Sequence, residues 1–144
     1  NVVSKIENFD GDVIATYDTH PENYMETQEG KNLPVVHCVK STWGHKLADG
    51  LLVKEGSKQI EKPTFGSTAL PEYIRANYDP AEIAIELVGL CTDICVVSNT
   101  LLLKAHYPEV SISVDASCCA GVTPDTHRAA LTTMGMCQIE VKNG

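Results

Sequence analysis

Positive charge is scarce in this sequence. Eleven Lys and Arg stand against nineteen Asp and Glu in 144 residues, a net charge of −8. That balance excludes nucleic-acid backbone binding as a main role. No apolar run approaches the roughly 18 residues of a membrane span, and the first residues show no signal-peptide pattern. Neither nucleic acid nor membrane is therefore an expected partner. The six cysteines form no CxxC pair, so a zinc ribbon or a thioredoxin-like redox motif is not expected. Repeats, low-complexity tracts and linkers are missing as well. What is present is a globular composition, 43% hydrophobic and 21% charged. The length suits one domain, 1–144, that buries a core without staples.

Several cysteines sit inside apolar runs such as VVHCV and LVGLC. Reduced, buried cysteines of a cytoplasmic protein look like this. Short strand-like runs fall at 12–16, 33–39, 57–62, 84–90, 110–116 and 137–141, several of them almost wholly apolar. Strands covered on both faces of a parallel sheet read this way. Helical patterns lie at 2–8, 68–77, 93–106 and 124–135, the last with Thr123 as N-cap and Pro124 at the first position. The alternation predicts βαβ units and an α/β fold with a doubly wound, mainly parallel sheet. The polar, Glu-rich stretch from about 20 to 33 reads as a surface loop. No strand precedes the first helix, although the first strand of such folds lies mid-sheet. The expectation is an N-terminally incomplete domain with open strand edges, prone to self-association as a homo-oligomer.

Three segments carry candidate chemistry. In Gly89-Leu90-Cys91-Thr92-Asp93-Ile94-Cys95-Val96 a buried strand gives way to a helix that Thr92 or Asp93 can cap. Cys95 then falls in the first turn, where free N–H groups and the helix dipole favour a thiolate and can bind an oxyanion. The plainer alternative is a small cysteine packed under the sheet. In Tyr17-Asp18-Thr19-His20-Pro21, Asp18 and His20 point the same way from extended chain and can ligate a metal, with His37 at a neighbouring strand end as a third ligand. A capping Asp beside a solvated His is the alternative. In Glu61-Lys62-Pro63-Thr64-Phe65-Gly66-Ser67, Lys62 ends a strand; it is either a solvated edge lysine or a group that lowers a nearby thiol's pKa. His106 reads as a helix-end residue bonding terminal carbonyls, and His127 as a helix-surface residue. Cys118 and Cys119 read as small buried residues in a loop after a strand. Trp43 and His45 either line a pocket or pack their own loop.

Together, DTHP, VVHCV with STWGHKL, EKPTFGST, GLCTDICV and VDASCCAGVTPDTHRAAL resemble, in order, the motifs of the nicotinamidase and isochorismatase superfamily of cysteine hydrolases. The similarity runs from about residue 10 to 141. It implies a three-layer α/β/α, isochorismatase-like and Rossmann-like fold with the first strand missing. It implies that Cys95 is the nucleophile, Lys62 the triad lysine, and Asp18, His20 and His37 the ligands of a divalent metal, zinc first with iron or manganese as alternatives. The N–H groups of Cys91 and Cys95 would form the oxyanion hole, and Leu90–Cys91 would be a cis peptide. Phe65, Trp43 and Leu90 would line the substrate pocket. The implied activity is ammonia release from a small carboxamide, nicotinamide foremost, through a thioester, as part of NAD metabolism.

The sequence also departs from that pattern. The superfamily's third catalytic residue, an Asp in an Asp-x-x-x-x-Phe motif ending the first strand, has no counterpart here; Asp10 and Asp12 do not match it. Tyr24 stands where many nicotinamidases carry another His near the metal. Two other readings follow: an isochorismatase-type or ureido hydrolase, or an inactive scaffold subunit.

Overall fold

The computed structural model describes residues 1–48, 51 and 57–144. Among the described residues, five parallel strands form two sheets. The first pairs β1 (Ile14–Asp18) with β2 (Lys58–Lys62); the second has the order β3 (Ala84–Leu90), β4 (Ser111–Ala120), β5 (Glu140–Lys142). The helices are α1 (Val2–Asn8), the short α2 (Gln28–Asn32), α3 (Ala69–Asn77), α4 (Val97–His106) and α5 (Pro124–Met136). This is the expected doubly wound α/β arrangement, and the break in the sheet falls between the β1–β2 pair and β3.

One apolar cluster joins the pieces. Ile60 of β2, Ile74 of α3, Leu103 of α4, Val114 of β4 and Met134 of α5 share it, with Ile14 and Leu87 packed against its border. Parallel strands need helical crossovers on their faces, and those helices bury the apolar side chains the strands present. Thr123 and Thr126 form a reciprocal capping box at α5, with Pro124 just inside the helix, as the sequence predicts. Helix α1 is held to the second sheet by Lys5, whose ammonium lies 2.6 Å from both Asp115 and Glu86. Among the described residues no helix is long and apolar enough to cross a membrane.

Two predicted elements change. The apolar run 33–39 is not a strand; Val39 makes a lone parallel bridge to His20, and nothing else in the run pairs. Pro34 has no N–H to give a ladder, Val35 bonds back to Leu33 in a tight turn, and Cys38 adopts a φ of 47°. The 20–33 stretch is largely exposed as expected, yet it folds into two short helical turns that bury Tyr24 completely. Other boundaries shift by a few residues: the first strand spans 14–18 rather than 12–16, and β4 continues to Ala120. Cys118 and Cys119 therefore lie in a strand rather than in a loop.

Candidate active site

The site begins with register. Asp18 and Lys62 are direct partners at the carboxyl ends of the parallel strands β1 and β2. Their side chains share a face, and the Lys62 ammonium is ion-paired to Asp18 Oδ1. Pro63 ends the strand there. Lys62 is only 3% exposed, so the solvated-lysine alternative is excluded. Its ammonium also lies 3.3 Å from the Thr64 carbonyl and 3.4 Å from the Cys95 sulfur.

Cys95 arrives from the other sheet. A register shift between Leu87 and Gly89 bends the end of β3. Gly89 sits at φ 120°, a conformation open to glycine and strained for other residues. The Leu90–Cys91 peptide is cis, as the resemblance implies. A single π turn, Thr92–Val96, leads into α4, and both Ile94 and Val96 donate to the Cys91 carbonyl, at 3.1 and 3.0 Å. Thr92 and Asp93 do not cap this helix; Cys91 occupies the cap position without a side-chain bond. The hydroxyl of Thr92 instead pairs with His127 Nδ1 at 2.8 Å, and the Asp93 carboxylate accepts the Val122 N–H. The start of α5 thus braces the turn that carries Cys95, and His127 is half-buried rather than a surface residue.

The Cys95 thiol does not behave as its helix position suggests. Burial first, then the Asp18 carboxylate with Oδ1 4.0 Å from the sulfur, raises its pKa above the ordinary thiol value. Lys62 and a hydrogen bond from the Cys91 N–H pull the other way without overcoming this. Desolvation of the charged form outweighs one ammonium that Asp18 already partly neutralises. The expected resting thiolate is therefore replaced by a neutral thiol that must shed a proton when it reacts.

A second cluster adjoins the first. One ligand atom each from Asp18, His20 and His37 lies within 4.8 Å of the others. Asp18 and His20 share a face of extended chain, and the lone bridge between His20 and Val39 brings His37 alongside. His37 Nδ1 lies 2.7 Å from the Val35 carbonyl. A carbonyl only accepts, so Nδ1 is the donor there and Nε2 is the nitrogen that faces Glu29. His20 Nε2 is buried without a hydrogen-bond partner, which is what a nitrogen awaiting a cation looks like. The donor set, two imidazoles and a carboxylate, suits zinc and similar divalent ions.

Two residues complete the cluster. Glu29 was not singled out by the sequence; its Oε1 faces His20 Nε2 at 3.6 Å and His37 Nε2 at 3.9 Å. It comes from α2, which packs closely because Gly30 lies against the Tyr24 backbone: an added Cβ would sit 2.1 Å from the Tyr24 carbonyl oxygen. Tyr24 packs its ring 4.8 Å from that of His20 and 5.1 Å from that of His37, so it supports both imidazoles.

None of the expected pocket residues lines the cavity beside His37. A cavity of about 450 Å³ opens beside His37, lined by Glu22, Val36, Cys38, Val39, Thr42 and Gly44, a size suited to a small ligand. Phe65, Leu90 and Trp43 are not among its lining, and their exposures are 47%, 68% and 82%. A larger cavity between β2 and α3, about 500 Å³, includes neither the thiol nor the imidazoles. His45 stacks on Tyr17 and bonds the Thr19 hydroxyl at 2.9 Å, packing its own loop. His106 lies 3.3 Å from Arg75 instead of bonding helix-end carbonyls. All six cysteines are free thiols.

This geometry can be set beside known proteins. The model of the isochorismatase domain matches residues 1–142. The chain belongs to the isochorismatase family. No curated protein matches its sequence. Among solved structures, this isochorismatase-family chain resembles the nicotinamidase/pyrazinamidase of Bacillus subtilis, with 23% identity, a TM-score of 0.79, and 99% of this chain and 80% of that one covered. A pyrazinamidase of Pyrococcus horikoshii, crystallised in complex with zinc, gives 22% identity, a TM-score of 0.80, and coverage of 96% and 79%. An N-carbamoylsarcosine amidase of Thermoplasma acidophilum gives 23%, 0.72, and coverage of 98% and 77%. The shared fold is that of the isochorismatase-like cysteine hydrolases.

Proposed function

We propose that this isochorismatase-family chain is a cysteine-dependent amidohydrolase that releases ammonia from a small uncharged carboxamide, nicotinamide foremost. The observation that carries this reading is the meeting of Cys95 and Lys62 at 3.4 Å, drawn from two separate sheets, beside the Asp18, His20 and His37 cluster.

In the mechanism, Cys95 Sγ attacks the amide carbonyl carbon. The S–C bond forms, and the carbonyl π pair moves onto oxygen. The thiol sheds its proton toward the amide nitrogen, while the Lys62 ammonium, 3.4 Å from the sulfur, balances the charge. The N–H groups of Cys91 and Cys95 receive the oxyanion; one such donor is typically worth about 10²–10³ in rate. The C–N bond then breaks, the nitrogen takes the proton, and ammonia leaves. Water hydrolyses the thioester, freeing the acid and restoring the thiol. Asp18, His20 and His37 would hold a divalent metal, zinc foremost, with Glu29 beside the imidazoles. When bound, that ion supplies a Lewis-acidic seat that orients a substrate heteroatom.

The charge around the site favours an uncharged substrate. The sequence contains two arginines. Arg75 lies against His106 and Arg128 against Asp125. Lys62 is already paired with Asp18, and Lys40 with Glu61. A ureido acid or isochorismate brings carboxylates, and these four cations each already have a partner. The test is ammonia release by zinc-loaded protein from nicotinamide and, in parallel, from N-carbamoylsarcosine. Release from nicotinamide alone is expected. Release from the ureido acid alone, or from neither, contradicts the reading.

A further inference from the structure

Helix α4 presents Thr100 and Leu103 to the core, and one residue on that inward side is an amide. Asn99 is 5% exposed, one helical turn after Cys95. A buried amide is costly unless its polar atoms are satisfied, and here they are. Its Oδ1 accepts the Ser67 N–H at 2.8 Å, and its Nδ2 donates to the Cys95 carbonyl at 2.9 Å and the Phe65 carbonyl at 3.3 Å. One side chain therefore grips the backbone of the nucleophile and both ends of the 65–67 loop.

That loop leads straight back to the lysine. Thr64 Oγ1 donates to the Gly66 carbonyl at 2.7 Å, and the Lys62 ammonium donates to the Thr64 carbonyl at 3.3 Å. Gly66 lies flush against α4, where an added Cβ would stand 3.5 Å from the Ser98 carbonyl oxygen. The bonds thus run from Cys95 through Asn99, the 64–67 loop and Lys62, and return to the Cys95 sulfur. We propose that Asn99 is a positioning residue: it fixes the nucleophile helix against the lysine loop, and so sets the separation of the Cys95 thiol from the Lys62 ammonium. The kinetic part of its test rests on the amidohydrolase reading; the geometric part does not.

The decisive variant is Asn99→Leu, which fills the same buried space without hydrogen bonds. If Asn99 merely supports the fold, Leu preserves Cys95 reactivity. The probe is iodoacetamide at one fixed pH, with modification of the Cys95 peptide followed by mass spectrometry and melting temperature recorded alongside. Asn99→Leu should slow alkylation roughly threefold, the Coulomb factor for an ammonium and a thiolate drawn about 1.5 Å apart at an effective dielectric near 20, halved for solvent exposure and the Asp18 charge. In ammonia release it should lower kcat by about 10²-fold, typical of a small misplacement, with KM changed far less. Asn99→Ala serves if the Leu variant does not fold, and the same slowing is expected. Alkylation at the wild-type rate in a folded variant overturns the proposal. Wild-type protein that alkylates normally yet releases no ammonia would instead refute the amidohydrolase reading, leaving the comparison of alkylation rates to decide Asn99.

Discussion

Replacing Lys62 with Met tests how far one ammonium sustains the reactivity of Cys95. Met matches the length of the lysine stem and leaves the β2 backbone unchanged. The ammonium lies 3.4 Å from the sulfur; at an effective dielectric near 20, a thiolate there gains about 5 kcal/mol. Cys95 is only partly buried and Asp18 neutralises part of the lysine charge, so about half of that is a reasonable net value. Roughly 2.5 kcal/mol is a factor of about 70 in thiolate population. Iodoacetamide labelling of Cys95 at pH 8 should therefore slow about 70-fold in Lys62→Met. The variant also leaves the partly exposed Asp18 without its partner, so a modest loss of melting temperature should accompany the change. Labelling at the wild-type rate, in protein that melts cooperatively, would refute the electrostatic role of Lys62.

Two further predictions concern metal and stability. Titration calorimetry with zinc should find one site per chain; His20→Ala should weaken it at least 100-fold, and Glu29→Gln about tenfold, in the range for supporting residues, whereas undiminished binding in both would move the metal elsewhere. Lys5→Ala should cost about 2 kcal/mol at pH 7 in urea unfolding, because two charge-assisted bonds hold α1. Lys5 holds the Asp115 carboxyl well below the usual range, and Asp115 with Glu86 lifts the Lys5 ammonium above its own. The carboxylate's contribution is therefore complete above about pH 4 and fades as the pH falls through the depressed value; the ammonium's is complete below about pH 10 and fades above it. Wild type and Lys5→Ala should converge in stability toward both extremes, and a constant difference would contradict the pairing.

The parts of the fold that local chemistry dictates were legible. Near-continuous apolar runs at 84–90 and 110–116 became adjacent parallel strands, mostly buried in β4 but only half-buried in β3, and TPDT became a capping box. Asp18, His20 and His37 do come together as their spacing suggested, even though the strand assigned around His37 does not exist. That error arose because an apolar run with a single proline reads alike as strand or as bent loop, and only Cys38's positive φ separates the two. Glu29 and Asn99 escaped notice for a different reason. Each acts through partners that only folding brings near, and nothing local marks a lone Glu on a short helix as facing two imidazoles. The raised thiol pKa was equally hidden, since helix position is visible in sequence and desolvation is not.

The central claim is that Cys95 carries the acyl group. Zinc-loaded protein mixed with nicotinamide, quenched in acid within a turnover and digested, should yield the peptide bearing Cys95 with a nicotinoyl thioester, and Cys95→Ala should yield neither adduct nor ammonia while keeping its melting temperature. Ammonia release that persists in Cys95→Ala would contradict the account.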